Sequence, residues 1–359
     1  MAANRGKLRF GIIGCGHVVQ TVHMPAWGPI NRVQLAAICD PSSSALDAVG
    51  ARFQKARRYS DVDAFLADAT DLDFVVVATP GDSHAAICEK VLRSRLHVLC
   101  EKPLALNEQD LRNVYDTADQ EGLVLTAIQN YKFRDTVIKA LEYKESGAIG
   151  NVTDFTVRLR GGSLLDETAI WRREERKHRV LLFDFGIHYV HLALLFGGPI
   201  SKLRFVDAQV NNEGLEYVVF GTLHENGCRG LFELILNSQS TGTDLEVLGE
   251  TGGFALDFFP HGFRVLPRRD TPLHRGIGDA RRLIKFGFSR AREYLPGGIP
   301  DRAIPHHQLF LAFIQAISEN APNPVPPAEV IESISLLAKV AEQAYAVADF
   351  PSKGPGTSP

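Results

Sequence analysis

The sequence predicts an α/β fold in which an N-terminal doubly wound parallel sheet is joined to a C-terminal α+β domain with an open-faced, mainly antiparallel sheet. Three observations lead there. The first third of the chain alternates short, continuously apolar runs with segments of helical spacing. Beyond about residue 150 the runs alternate polar and apolar residues, with Asn- and Gly-rich turns between them. Two amphipathic helices then close the chain. Continuous apolar strands separated by helices belong to parallel sheets covered on both faces, whereas alternation belongs to antiparallel sheets with one face solvated.

Taken in order, Leu8–Ile13, Val33–Cys39, Phe74–Thr79, His97–Cys100 and Leu123–Ile128 read as strands. Ala45–Phe53, Val62–Ala67, His84–Arg93 and Glu108–Glu121 read as the helices between them. The second half opens on Val152–Arg160, where Phe155, Val157 and Leu159 share a face. Leu203–Val210, Glu216–His224, Arg229–Leu236, Leu245–Leu248 and Gly253–Phe258 follow as strands. The turns at 211–214 and 225–227 suit antiparallel hairpins. His306–Ser318 and Ala328–Ala348 carry apolar residues at helical spacing, and the proline-rich 322–327 breaks the helix between them. The expected division is 1–128 for the nucleotide-binding domain, 129–350 for the second domain and 351–359 for a flexible tail.

With 359 residues, 45% hydrophobic and 23% charged, the chain is an ordinary globular protein by composition. A net charge of -3 argues against nucleic acid or an anionic membrane as a partner. No apolar run approaches the roughly 20 residues that span a bilayer. The short basic N-terminus has neither an apolar core nor a twin-arginine pair, which predicts a cytoplasmic protein. Five cysteines without C-x-x-C spacing read as buried reduced thiols, and no metal site is expected. Residues 264–302 hold ten Lys/Arg against four Asp/Glu. They read either as a solvated loop with a short helix, or as a lid or patch for an anionic substrate group.

The first strand runs into Gly14-Cys15-Gly16-His17-Val18-Val19. Gly14 suits a tight turn and Gly16 a close approach of backbone to a pyrophosphate. The helix that follows offers free N–H groups and its positive dipole end to the phosphates, the dinucleotide site of a Rossmann domain. Val19 stands where a third small residue normally lets helix and strand pack closely, so the helix is expected slightly further out. Asp40, 26 residues after Gly14, ends the second strand. A carboxylate there accepts from ribose hydroxyls and repels a 2′-phosphate, and no arginine follows it, which favours NAD over NADP. The other reading of Asp40 is a helix N-cap.

Thr79-Pro80-Gly81-Asp82-Ser83-His84 and Cys100-Glu101-Lys102-Pro103 end the next strands, so both loops face the cofactor. Glu101-Lys102-Pro103 at this spacing resembles the glucose-fructose oxidoreductase/inositol dehydrogenase (Gfo/Idh/MocA) family. So do His23-Met24-Pro25-Ala26, Thr79-Pro80 with His84, Gly147–Gly150, Trp171-Arg172, Asp184-Phe185-Gly186-Ile187-His188 and Leu248–Gly253, in that order. The resemblance covers nearly the whole chain. It implies a lysine, an aspartate and a histidine in the active site, at Lys102, Asp184 and His188. It also implies cofactor contacts from His17, Val18, Thr79, Pro80, His84, Glu101, Lys102, Trp171 and Arg172, and a homo-oligomer formed through the open sheet. Two departures stand out: the segment before Asp184, usually Gly-rich, is Arg179-Val180-Leu181-Leu182-Phe183, and His191 replaces a frequent Asp. Both suggest a bulkier, less polar substrate wall.

The chemistry asks for such groups on its own account. Oxidising a carbinol carbon removes a hydroxyl proton while hydride leaves, a histidine can take that proton, and an ammonium stabilises the developing alkoxide. Each residue also has a plainer reading: Lys102 as a solvated strand end, Asp184 as an N-cap, His188 as a core histidine, Trp171 and Arg172 as a packed ring and a surface charge. Asn130, Tyr131 and Arg134 open the second domain and are candidates for lining the cleft. The expected activity is hydride transfer between NAD(P) and a sugar, a cyclitol or a sugar derivative, phosphorylated or nucleotide-linked forms included. A relative that uses tightly bound NAD transiently, as an epimerase, eliminase or glycosidase-like enzyme, and a non-catalytic dinucleotide sensor remain open alternatives.

Overall fold

Six parallel strands form the first sheet: β1 (Leu8–Ile13), β2 (Val33–Cys39), β3 (Arg57–Tyr59), β4 (Phe74–Val77), β5 (His97–Cys100) and β6 (Leu125–Ala127). The computed structural model describes residues 6–161, 182–211, 214–236, 238, 242–258, 261–266 and 299–347. Strand order is β3-β2-β1-β4-β5-β6. The order reverses between β1 and β4, so their following loops part and open a crevice where nucleotides bind in such sheets. All four residues of β4 are fully buried, as a strand covered on both faces requires.

The helices of this half are α1 (Met24–Trp27), α2 (Ser43–Gly50), α3 (Val62–Ala67), α4 (His84–Arg93) and α5 (Glu108–Glu121). Side chains of Ser42, Asp61 and Asn107 cap α2, α3 and α5 by accepting from Ala45, Ala64 and Asp110 main-chain N–H groups. Three strand expectations need adjustment. β4 stops at Val77, leaving Ala78 and Thr79 to the loop. β6 is confined to 125–127. The three-residue β3, unexpected from the sequence, pairs only with β2.

The second sheet contains β7 (Val152–Arg160), β8 (Ile200–Asn211), β9 (Gly214–His224), β10 (Arg229–Ile235), β11 (Gly242–Gly249), β12 (Gly253–Phe258) and β13 (His261–Leu266). Its order is β13-β12-β11-β7-β10-β9-β8, antiparallel except for the β7/β10 pair. Along β7, Phe155, Val157 and Leu159 are buried while Arg158 and Arg160 are exposed. On this outer side Arg158 sits between Glu233 and Asp244, at 3.4 and 3.8 Å, and Leu223 and Leu231 are exposed. The inner side meets α6 (Asp135–Glu145) and α7 (Ile187–Gly197). α7 is buried along almost its whole length, as a helix apolar all round must be.

The closing helices, α8 (Ile304–Glu319) and α9 (Pro327–Val347), return to both halves. Phe310 of α8 stacks on Trp27 with ring centroids 4.0 Å apart, and Asn323 bonds both Thr126 and the Leu125 carbonyl of β6 at 2.8 Å. α9 packs on α7 and β8. All five cysteines are free and buried, as the sequence predicts. Among the described residues no helix is long and apolar enough to cross a membrane. The tail 351–359 and residues 267–298 of the basic stretch lie outside the described residues.

Candidate active site

The glycine turn after β1 has the shape its sequence requires. Gly14 adopts φ +94° and donates its N–H to the Cys39 carbonyl at 2.8 Å. A side chain there would strike the Ala78 carbonyl and come within 2.8 Å of the Thr79 nitrogen. Gly16 is the opposite case: it is exposed, and a Cβ on it would meet nothing within 4 Å. His17 is exposed and Val18 partly so, while Val19 is fully buried at the start of a π-helical turn, Val19–His23. That turn is wider than an α-helix and leads straight into α1.

Asp40 accepts from the Cys15 main-chain N–H at 2.7 Å and from that of Ser42 at 2.8 Å. It thus braces the glycine turn, and the cap of α2 is Ser42. Two of about four lone-pair positions on its carboxylate are taken, which leaves acceptors for ribose hydroxyls. An open backbone at Gly16 and spare acceptors on Asp40 fit a dinucleotide laid across the crevice.

From β4, Thr79 exchanges a hydrogen bond with Ser83 at 2.7 Å, and Pro80 is exposed. His84, at the start of α4, is buried with Nδ1 2.8 Å from the Pro103 carbonyl and Nε2 2.7 Å from that of Thr79. Its ring ties the loop after β4 to the loop after β5.

From β5 come Glu101 and Lys102. The Lys102 ammonium reaches Asp184, donating to its carboxylate and, at 2.9 Å, to its main-chain carbonyl. Both side chains are less than a fifth exposed. Asp184 lies in a π-helical turn, Leu182–Gly186, and His188 in the first turn of α7. The His188 ring stacks on Tyr131 with centroids 4.0 Å apart and planes 7° from parallel, and the Arg134 guanidinium lies 4.0 Å over that same phenol ring. Burial, with Lys102 and Arg134 as neighbouring cations, holds the His188 imidazole well below its ordinary range and keeps it neutral. Lys102, Asp184 and His188 therefore converge, with Tyr131 and Arg134 beside them.

Of the family departures, Arg179, Val180 and Leu181 lie outside the described residues, and the rest are buried. Leu182 and Phe183 are core residues, and His191 is wholly buried with Nε2 2.8 Å from Glu329 of α9. The expected bulky apolar wall is therefore not built by these three side chains. Trp171 and Arg172 lie outside the described residues.

Sequence reasoning missed a buried contact beside Lys102. Nε2 of His23 lies 2.7 Å from Glu101, and Nε2 of His306 lies 3.9 Å from the same oxygen. Burial alone would raise the Glu101 pKa, but the bond to His23 and the surrounding positive charge bring it down to about 2. Burial pushes His306 down to about 3. An ionised carboxylate only accepts, so the His23 nitrogen facing it carries the proton. The three ligand atoms lie within 4.8 Å of one another, and a metal ion there would have to replace that proton. His23 and Glu101 each stood in a recognisable motif, but nothing in either showed that they pair; His306 carried no local signal.

Comparison with known proteins agrees with this fold. Residues 8–129 match the model of the Gfo/Idh/MocA oxidoreductase family, NAD-binding Rossmann fold, and residues 137–255 match the Gfo/Idh/MocA C-terminal domain. The chain belongs to this family. Its first half thus has the NAD-binding Rossmann fold of this oxidoreductase family. Among its relatives is D-apiose dehydrogenase of Paraburkholderia graminis, 29% identical over 223 residues, which are 62% of this chain and 58% of that protein. The match thus spans less than two thirds of that relative's length. Another is dTDP-3,4-didehydro-2,6-dideoxy-alpha-D-glucose 3-reductase of Streptomyces violaceoruber, 29% identical over 74% of this chain and 78% of the other. The WlbA dehydrogenase of Bordetella pertussis, solved with NADH and UDP-GlcNAcA, shares the fold with a TM-score of 0.79 at 20% identity, over 95% of this chain and 96% of its own.

Proposed function

We infer that this Gfo/Idh/MocA protein moves a hydride between NAD and a carbinol or keto carbon of a sugar, a cyclitol or a sugar derivative, nucleotide-linked sugars included. The observation that carries the reading is the convergence of Lys102, from the loop after β5, on Asp184, one helical turn before His188. Two names among its relatives, an apiose dehydrogenase and a nucleotide-sugar reductase, support the substrate class.

In this reading the open backbone of Gly16 would hold the pyrophosphate, with Gly14, His17 and Val18 shaping the turn, Asp40 would hold the adenosine ribose, and Thr79 and Pro80 would flank the cofactor. NAD supplies the hydride acceptor in the oxidising direction, and its reduced form supplies the donor in reverse. His188, neutral because it is buried among cations, takes the hydroxyl proton as the C–H hydride departs. The Lys102 ammonium stabilises the negative charge growing on that oxygen. Asp184 holds Lys102 in place, and Tyr131 fixes the plane of the His188 ring. Reduction of a ketone uses the same groups in the opposite sense.

The boundary near 128/129 then separates a cofactor half from a half that supplies Asp184 and His188. The outer side of the second sheet, with Leu223 and Leu231 exposed among charges, is the proposed contact between copies of the chain.

The experiment is a turnover screen of free, phosphorylated and nucleotide-linked sugars with NAD, followed by nicotinamide absorbance. Lys102→Ala and His188→Ala should each abolish turnover while cofactor binding persists. Full turnover in both variants would refute the assignment. Turnover without net NADH would instead indicate transient use of the cofactor.

A further inference from the structure

The chemistry above uses Lys102, Asp184 and His188 and leaves the neighbouring buried cluster unexplained. His23, Glu101 and His306 are 0%, 7% and 7% exposed. They come from the turn after the glycine loop, the end of β5 and the first turn of α8. What joins them is the Glu101 carboxylate. Oε1 accepts the Nε2–H of His23 at 2.7 Å and has His306 Nε2 at 3.9 Å, while Oε2 accepts the main-chain N–H of Lys102 at 3.1 Å.

A buried carboxylate is costly unless its lone pairs are filled, so its partners dictate where it sits. His23 holds Oε1 by a hydrogen bond, and His306 is packed beside the same oxygen beyond bonding distance. His23 belongs to the helical turn that follows the glycine loop, and His306 belongs to a helix fixed on the first sheet by the stacking of Phe310 on Trp27. Asn130, next to the phenol under His188, lies 3.5 Å from the other ring nitrogen of His306. The N–H held by Glu101 is that of the very residue whose ammonium enters the cleft.

We propose that Glu101 is a positioning residue for Lys102, and that His23 and His306 form the clamp that sets its carboxylate. The proposal rests on the reading of Lys102 as the ammonium at the substrate oxygen. With the clamp in place the stem of Lys102 leaves the backbone in one direction and its ammonium meets Asp184 directly. A displacement of about 1 Å at a reacting group costs on the order of a hundredfold in rate. A hydrogen bond on the lysine's own main chain therefore acts on turnover without touching the substrate.

The test follows the amine of Lys102 itself. Native protein and the variants His23→Leu, His306→Leu and His23→Gln are pulse-labelled with an amine-acylating reagent, and peptides carrying Lys102 and Lys144 are quantified by mass spectrometry. Lys144 is the internal control, since its ammonium is bonded to the Leu195 carbonyl at 3.0 Å in the other half of the protein. The proposal expects Lys102 to label several-fold faster in both leucine variants, with Lys144 unchanged. His23→Gln, whose amide can donate where the imidazole does, should return Lys102 towards its native rate. The kcat should fall in the leucine variants with little change in KM for NAD. Should a leucine variant not fold, Glu101→Gln gives the same readout with the side-chain shape kept. An unchanged Lys102 rate overturns the proposal, and so does a parallel rise at Lys144, which would mean general loosening. Stoichiometric divalent metal in the native protein, whose chelation alone releases Lys102, would overturn it in favour of a metal site. If the native enzyme turns over no sugar, the functional reading fails while the labelling still decides this one.

Discussion

Lys102 and Asp184, 82 positions apart, meet twice: the ammonium donates to the carboxylate and, at 2.9 Å, to the main-chain carbonyl of the same residue. One contact joins the end of β5 to the turn that launches α7. The proposed catalytic pair is thus also a tie between the two sheets' surroundings.

Removing the aspartate should therefore be felt in both stability and rate. Asp184→Ala leaves a largely buried ammonium without its charged partner, a loss of about 1–3 kcal/mol by the usual worth of hydrogen bonds to charged groups. Asp184→Asn should be milder in stability and still reduce kcat strongly. Urea unfolding set beside initial rates separates the two effects. Wild-type rates in Asp184→Asn would show that the ion pair has no part in turnover.

The two glycines of the turn should fail differently. Gly14→Ala places a side chain at φ +94° against the Ala78 carbonyl. It should destabilise the fold by on the order of 1–3 kcal/mol from backbone strain alone. Gly16→Ala meets no protein atom, so its melting temperature should hold while NAD affinity drops. Thermal melts with and without NAD distinguish them, and equal loss of stability in both would contradict the open cradle.

Asp40→Ala should weaken NAD binding and narrow the preference for NAD over NADP. It also strips the Cys15 N–H of its acceptor, a penalty of about 1–3 kcal/mol if water does not replace it. Titration with both cofactors checks this, and an undiminished preference would exclude a ribose role for the carboxylate.

These predictions draw on features of unequal legibility. The bounds of β1, β2 and β12 could be read directly, because apolar runs bounded by turn residues coincide with buried strands. β3 could not: Arg57–Tyr59 is short, polar and paired on one side. α7 gives no periodicity because it is buried on nearly every side, and β13 lies at the head of the basic stretch that masks its pattern. Lys102, Asp184 and His188, the proposed catalytic groups, stand in motifs whose fixed order survives in sequence. The bond between His23 and Glu101 is created when the turn after the glycine loop meets the end of β5, and the approach of His306 only when α8 folds back beside them; no local pattern records either.

Acid should destabilise the protein in two stages. His84, His188 and His191 are held below their ordinary range by burial, and His306 falls to about 3. Between those values and the unfolded value of about 6.5, the unfolded chain binds protons that the folded chain refuses. Stability is then complete above pH about 6.5 and falls as the pH drops, by up to about 1.4 kcal/mol per pH unit for each such histidine. Glu101, lowered to about 2, adds a contribution that is whole above its unfolded value of about 4.3 and lost as pH falls towards 2. Urea unfolding across pH measures the slope, and His306→Gln should flatten it by one proton. A stability independent of pH below 6.5 would contradict neutral buried histidines.

Tyr131 offers a selective probe of His188. Tyr131→Phe keeps the ring beneath the imidazole and should retain most activity, whereas Tyr131→Ala removes the stack at 4.0 Å and should lower kcat about tenfold or more by loss of orientation. Comparable rates in both variants would mean that the stack does not orient the base.

The most direct measurement is a crystal structure of the protein with NAD and a sugar that it turns over. The account expects the pyrophosphate against Gly16 and one carbinol oxygen within about 3 Å of both the Lys102 ammonium and the His188 imidazole. A sugar bound out of reach of either group, or a dinucleotide away from the glycine turn, would contradict it.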